Sequence, residues 1–278
     1  MAASTAKKEA DGDYILGSDR QELERLRFQH HAWIQQGYAL FERAGLRTGQ
    51  VVLDLGCGPG FTSFELARVV GLTGRVIARD QNRRFLDHLA AERERLGLAQ
   101  IEPSLGPVEE LELPPEQLDA AYARWLFCWL AEPEKVLQLV TRALRRGGVI
   151  LLQEYLDWGA MKLMPRSAAF ERVVAGCLSS WREGGATIDL AEHVPALAAA
   201  CGLQVEHFRP IARLGRVGSL EWRWLTEFFG GYLPKLVERG LLTAEDLQRY
   251  HDDWARRTAE GTSYCMTPTM ADVVLRKP

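Results

Sequence analysis

The chain has 278 residues, 47% of them hydrophobic and 26% charged, with a formal net charge of −3. That length supports a substantial core, and the composition is that of a soluble globular chain rather than a disordered or fibrous one. The charge balance offers no polycationic face, which argues against a nucleic-acid partner. Five scattered cysteines, Cys57, Cys128, Cys177, Cys201 and Cys265, form no C-x-x-C pair. They read as free thiols of a reducing compartment rather than as a disulfide framework or zinc site. No apolar run is long enough to span a bilayer, and the opening residues lack the apolar core of a signal peptide, so a cytoplasmic protein without a membrane partner is expected. Residues 1–13, small and charged, are expected to be a disordered tail.

Ser18 and Gln21 have capping-box spacing. Leu23, Leu26, His30, Trp33 and Ile34 then recur on one helical face, followed by Tyr38 and Phe41, up to Gly45. Residues 51–55 are a short apolar run bounded by turn residues, a buried strand. A helix is expected over 62–70, a strand over 75–79, and a helix capped by Asn82 that carries Phe85, Leu86, Leu89 and Leu96. Strands follow at 101–105 and 118–123. Pro133 suits the first position of a helix that runs to Arg146, before Gly147-Gly148 and an apolar strand over 149–155. Strands alternating with helices in units of this size imply a parallel sheet wound on both faces. The second half reads differently: helices over 165–183, 189–200, 219–229 and 243–257, a strand over 203–214, and a closing strand over 264–276. The simplest organisation is one domain over 14–278, with a cover helix (14–44), a cofactor-binding core (45–160) and acceptor or lid helices with the final strands (161–278).

The stretch VVLDLGCGPGFTS (51–63) runs from strand through glycines into helix, a turn that suits an anionic or nucleotide-like ligand. A phosphate-binding P-loop needs a lysine that does not follow Gly60. A dinucleotide fingerprint needs a third glycine where Phe61 stands. The glycines fall instead at 56, 58 and 60, with Asp54 ahead of them, where they let backbone approach a ligand without Cβ collisions.

DLGCGPG resembles the first motif of class I S-adenosylmethionine-dependent methyltransferases. RVIARD (75–80) resembles their second strand with an acidic tip, PEQLDAAYARWL (115–126) the fourth strand, and LRRGGVILLQEY (144–155) the segment into the fifth, with Arg146 in place of the usual proline. YILGSDRQELERLRFQHHAW (14–33) is similar to the N-terminal helix of the small-molecule, ubiquinone/menaquinone-biosynthesis-like branch. The resemblance implies an α/β, Rossmann-like, doubly wound sheet of seven strands, the last antiparallel, under a helical lid from the N-terminus and late insertions. It also implies S-adenosylmethionine as cofactor, S-adenosylhomocysteine as product, no metal, a small-molecule acceptor, and a monomer or homodimer.

Carried onto this chain, the cofactor residues are Asp54, Gly56, Gly58, Gly60, Asp80, Gln81, Pro107, Val108, Arg124, Tyr14 and Gln29. Asp80 is assigned to the ribose hydroxyls and Asp54 to the ammonium or to fixing the turn. Tyr14 and Gln29 belong to the segment that closes over the cofactor in relatives. Two departures stand out: Pro107 occupies the place of the usual adenine-binding aspartate, leaving Glu109 or water as substitutes, and Arg79 replaces an apolar residue. Arg79 stands either to pair with Asp80 or to lie over the adenine. Cys57 reads as a small filler of the turn. Tyr155 and Trp158 leave the fifth strand on the cofactor side and are the candidate acceptor residues. Tyr155, His30, His31 and Glu154 are the candidate bases, although a good sulfonium leaving group lessens the need for one. His30 and His31 point about 100° apart on a helix, so one is expected to pack and the other to be solvated. The sequence supports a methyltransferase first, a non-catalytic cofactor-binding regulatory module second, and an NAD-dependent dehydrogenase third.

Overall fold

A computed structural model of the chain describes residues 20–278. The expected tail, the Ser18 cap and Tyr14 lie outside the described residues. Helix α1 (Arg20–Arg43) leads into β1 (Val51–Leu55), the glycine turn and α2 (Phe61–Val70). Then come β2 (Arg75–Asp80), α3 (Arg83–Leu96), β3 (Ile101–Leu105), β4 (Leu118–Arg124), α4 (Pro133–Ala143) and β5 (Leu144–Asp157). The second half adds β6 (Lys162–Met164), α5 (Ala168–Glu183), α6 (Val194–Ala200), β7 (Gln204–Ile211) and β8 (Leu214–Arg216). It closes with α7 (Leu220–Glu238), α8 (Ala244–Glu260), β9 (Tyr264–Met266) and β10 (Thr269–Arg276).

Seven strands form one sheet in the order β3-β2-β1-β4-β5-β10-β7. The first five are mutually parallel, and β10, last in the chain, runs antiparallel to both of its neighbours. Helices cover both faces, which is why the central strands are apolar without alternation. Along β4, Ala121 and Ala123 face a core with Val136, Leu137 and Val140 of α4, while Ala120 and Tyr122 face Phe41, Phe64 and Leu66 of α1 and α2. Asn82 caps α3 through its side chain, as its position in the sequence suggests. Thr243 and Asp246 form a reciprocal capping box on α8.

Three expected elements are redrawn. The helix read through Arg146 ends at Ala143, because Leu144 already pairs with Leu118 and Arg145 is held by Asp119. The strands expected over 203–214 and 264–276 are each split between two sheets. The trailing end of the first, β8, and the leading part of the second, β9, join β6 in a small three-stranded sheet that was not read from the sequence at all. Pro268, without an N–H, sits at the break between β9 and β10. The small sheet, α5, α7 and α8 enclose a third core of aromatic side chains, including Trp158, Trp181, Trp222, Phe229 and Trp254, which also receives Trp33 from α1. Among the described residues no helix is long and apolar enough to cross a membrane.

Candidate functional site

Strand order reverses beside β1, and the crevice at the C-terminal strand ends is where open α/β sheets bind ligands. The glycine turn leaves β1 there. Gly56, Gly58 and Gly60 all have positive φ, 61°, 53° and 86°. A Cβ at Gly60 would stand 2.5 Å from Leu89 Cδ1, whereas one at Gly58 would meet nothing within 4 Å. Gly60 thus serves packing of α2 against α3, and Gly58 keeps open space beside the cavity. Gly60→Ala is expected to cost about 2–4 kcal/mol in urea unfolding, from left-handed strain plus overpacking. Gly58→Ala, at φ 53°, carries the left-handed strain without the overpacking, about 1–2 kcal/mol, and should lose ligand affinity besides.

Asp80 ends β2 and ties the turn down: Oδ2 accepts from Gly58 N at 2.8 Å and Oδ1 from Asn82 N at 2.8 Å. Burial raises its pKa, against the pull of these backbone donors. Each carboxylate oxygen retains a further acceptor site. Asp54, almost fully buried at the end of β1, accepts from Ser63 Oγ at 2.6 Å. Burial pushes its carboxyl up to about 7, opposed by the Ser63 hydroxyl and the Arg124 guanidinium. Ser63 and Thr62 open α2, and their part in the site was not assigned from the sequence, although the polar pair directly after the glycines is the signal for it.

Arg124, the last residue of β4, donates to Thr62 Oγ1 at 3.3 Å and lies 3.2 Å from His30 Nδ1. Since arginine only donates, His30 must offer its Nδ1 lone pair, which leaves the ring proton on Nε2 toward Glu65 at 3.9 Å. Burial lowers the His30 pKa, consistent with this neutral ring. Arg124 Nη1 is buried and has no hydrogen-bond partner among the described residues.

Arg79 neither pairs with Asp80 nor faces the cavity. Its guanidinium donates to the carbonyls of Leu105, Pro107 and Glu110 and to Ser104 Oγ, which fixes the loop carrying Pro107 and Val108. Gly106 makes room for it, since a Cβ there would lie 2.5 Å from Arg79 Nη2.

After β4 the chain turns sharply at Trp125, which has φ 53°. Glu154 holds this turn, its Oε1 accepting from Leu126 N and Phe127 N, both at 2.9 Å. It is fully buried, which pushes its carboxyl up to about 7. Because this folded value lies above the ordinary 4.5, the unfolded chain ionises first as pH rises. The contribution of Glu154 to stability is therefore complete below pH 4.5 and lost on going through pH 7. Asp54 acts in the same direction, and each is worth on the order of 3 kcal/mol. Melting temperature should fall between pH 5 and 8, and Glu154→Gln, which keeps an acceptor for both N–H groups, should make that fall shallower. A Gln variant with the parental pH profile would refute the assignment.

One cavity of about 500 Å³ joins these parts. Asp54, Gly56, Gly58, Asp80, Gln81, Pro107, Val108, Arg124, Gln29 and His30 line one half. Trp125, Trp129, Trp181, Phe228, Tyr232 and Arg239 line the other. Gly60 stands at the start of α2 just outside the lining. Gln29 Oε1 accepts from Arg25 Nη1 at 3.0 Å within α1 and from Trp224 Nε1 at 3.4 Å, joining α1 to α7 beside the cavity. Tyr155 and Trp158 do not line the cavity and stand one layer behind it, Tyr155 stacked on Trp125 at 5.7 Å and Trp158 edge-on to Trp181 at 4.3 Å. Glu154 is likewise behind the wall, and His31 is exposed on α1. The far wall, Trp129, Trp181, Phe228, Tyr232 and Arg239, was not singled out from the sequence as a binding surface, because its residues come from three separated segments. No group of three or more His, Cys, Asp or Glu side chains suited to a metal occurs among the described residues.

This strand order, with a glycine turn after β1 and an acidic tip on β2, is that of a Rossmann-like fold. Residues 52–148 match the family model described as a methyltransferase domain. An uncharacterized 37.1 kDa protein in transposon Tn4556 of Streptomyces fradiae is 33% identical over 117 residues, 42% of this chain and 33% of that protein. The ubiquinone/menaquinone biosynthesis C-methyltransferase UbiE of Escherichia fergusonii is 31% identical over 113 residues, 40% of this chain and 45% of that protein. The matches span less than half the length of these relatives. Among solved structures, a Bacillus halodurans chain described as a methyltransferase shares the fold with a TM-score of 0.59 at 17% identity, over 87% of this chain and 98% of that one. Over residues 52–148 the chain is thus similar to methyltransferase domains, and it shares its fold with a solved structure so described.

Proposed function

We propose that the protein transfers the methyl group of S-adenosylmethionine to a small-molecule acceptor, as a cytoplasmic enzyme acting without a metal. The observation that carries this reading is the single cavity in which a polar half, built on the glycine turn, opens into an aromatic half. The residues suit the cofactor. Asp80 has acceptor capacity left for ribose hydroxyls, Asp54 for an ammonium, and the unpartnered Nη1 of Arg124 for a carboxylate. Gly58 leaves room for the ligand, and Pro107 and Val108, fixed by Arg79, offer the adenine an apolar edge and backbone. When bound, S-adenosylmethionine supplies an electrophilic methyl group whose leaving group is neutral.

The chain's own task is then to seat the acceptor and exclude water. The aromatic half does this, with Trp125 set in place by the strained turn that Glu154 holds. None of Tyr155, His30, His31 and Glu154 presents an unengaged basic atom to the cavity: His30 gives its lone pair to Arg124, and the others do not line it. Proton removal is accordingly left to water or to the acceptor's own acidity. The test is incubation with S-adenosylmethionine and a panel of phenols, carboxylic acids and amines, following S-adenosylhomocysteine release. Cofactor binding with no turnover across the panel would instead favour a regulatory module.

A further inference from the structure

Among the described residues that line the aromatic half of the cavity, one side chain is charged, and it is positive. The acidic residues that line the cavity, Asp54, Asp80 and Glu109, all belong to the cofactor half, whereas Arg239, the C-cap of α7, lines the aromatic half. Arg239 Nη2 reaches Glu183 Oε2 at 3.4 Å, with the two side chains 45% and 58% exposed. So open a pair contributes little, and Arg239 remains available to another anion. The neighbouring hydroxyls are already engaged. Ser180 Oγ donates to Cys177 O at 2.8 Å and shares a 2.7 Å hydrogen bond with Tyr232 Oη. Around them the walls are flat: Trp181 stacks on Tyr232 at 5.7 Å, and Trp129, 42% exposed at the cavity, meets Trp181 edge-on at 6.1 Å.

Flat walls of this kind suit a planar ring. Aromatic walls also cage methylated ammonium groups, but here no carboxylate lines the aromatic half to favour a cation and a guanidinium opposes one. Resting on the methyl-transfer reading above, we propose that the acceptor is a planar aromatic carboxylate, its ring against Trp129 and Trp181 and its carboxylate on Arg239. Arg239 is then the specificity-determining residue, and Glu183 its competitor in the empty protein.

Calorimetry on protein loaded with S-adenosylhomocysteine tests this, with 3-hydroxy-2-naphthoate, its neutral amide, and benzyltrimethylammonium as probes. The naphthoate should bind at least about tenfold more tightly than the amide, as a charge-assisted hydrogen bond implies. Arg239→Gln should abolish that preference while leaving S-adenosylhomocysteine affinity unchanged. Glu183→Gln should tighten naphthoate binding, which keeps the test informative if the Arg239 variant folds poorly. Equal affinity for acid and amide, a preference for the ammonium probe, or loaded protein that binds none of the three would overturn the assignment. Failure to load S-adenosylhomocysteine at all would instead count against the methyl-transfer reading.

Discussion

Asp80→Ala should reduce S-adenosylhomocysteine affinity by roughly 100- to 10,000-fold in calorimetry, the equivalent of two charge-assisted hydrogen bonds. The same carboxylate accepts from Gly58 N and Asn82 N, so its loss also leaves two part-buried donors without partners. That costs about 2–4 kcal/mol of stability, visible as a lower melting temperature. The two effects separate in Asp80→Asn, which retains one carbonyl acceptor and turns the other group into a donor. It should recover much of the stability and little of the affinity, because an amide cannot accept a ribose hydroxyl proton through nitrogen. If Asp80→Ala bound S-adenosylhomocysteine within about threefold of the parent, Asp80 would be a brace for the turn and nothing more.

The features legible in the sequence are those whose cause is local. Glycines at 56, 58 and 60 announce a turn because left-handed backbone at three alternate positions needs them. Asp80 is legible because it ends an apolar run, so its place at a strand tip follows from the pattern alone. The alternation of strands and helices over residues 50–155 likewise dictates the parallel sheet. Arg79 is the opposite case: its role depends on β2 pairing with β3, which brings Ser104 to Pro107 within reach of a residue some two dozen positions earlier. Nothing in RVIARD itself encodes that.

The aromatic half was illegible for a related reason. Tyr155 and Trp158 leave β5 toward the cofactor side, as their positions imply, but α5 and α7 place Trp181 and Phe228 in front of Trp158, and Tyr155 backs Trp125. Which aromatic residue reaches a cavity depends on helix packing in three dimensions, and the single-sequence pattern is the same for front and back rows. Strands β6, β8 and β9, of three residues each, are too short to show a period of two, so the small sheet that seats α7 left no trace in the pattern. Trp125 illustrates the cost of the arrangement. It adopts a conformation that a bulky residue rarely tolerates, held by two backbone hydrogen bonds to one buried carboxylate.

The second large effect concerns pH. In the ligand-free protein Asp54 titrates at about 7, because burial disfavours its charge more than Ser63 and Arg124 restore it. A ligand whose ammonium pairs with Asp54 requires the ionised carboxylate and must displace the proton before binding. Affinity for S-adenosylhomocysteine should therefore be greatest above pH 7 and fall about tenfold per unit below it, close to 100-fold by pH 5. Near pH 7, binding should release about half a proton, seen as a dependence of calorimetric heat on the buffer's ionisation enthalpy. 5′-Methylthioadenosine, which shares the adenosine and lacks the ammonium, should bind without that slope. Asp54→Asn should weaken S-adenosylhomocysteine at pH 8 and flatten the profile between pH 6 and 7.5. His30, whose pKa burial lowers, accounts for what slope persists in the variant at more acid pH, since its protonation withdraws the acceptor that holds Arg124. A parental protein whose affinity does not change between pH 6 and 8 would show that Asp54 only fixes the turn through Ser63, and that the ammonium is held elsewhere.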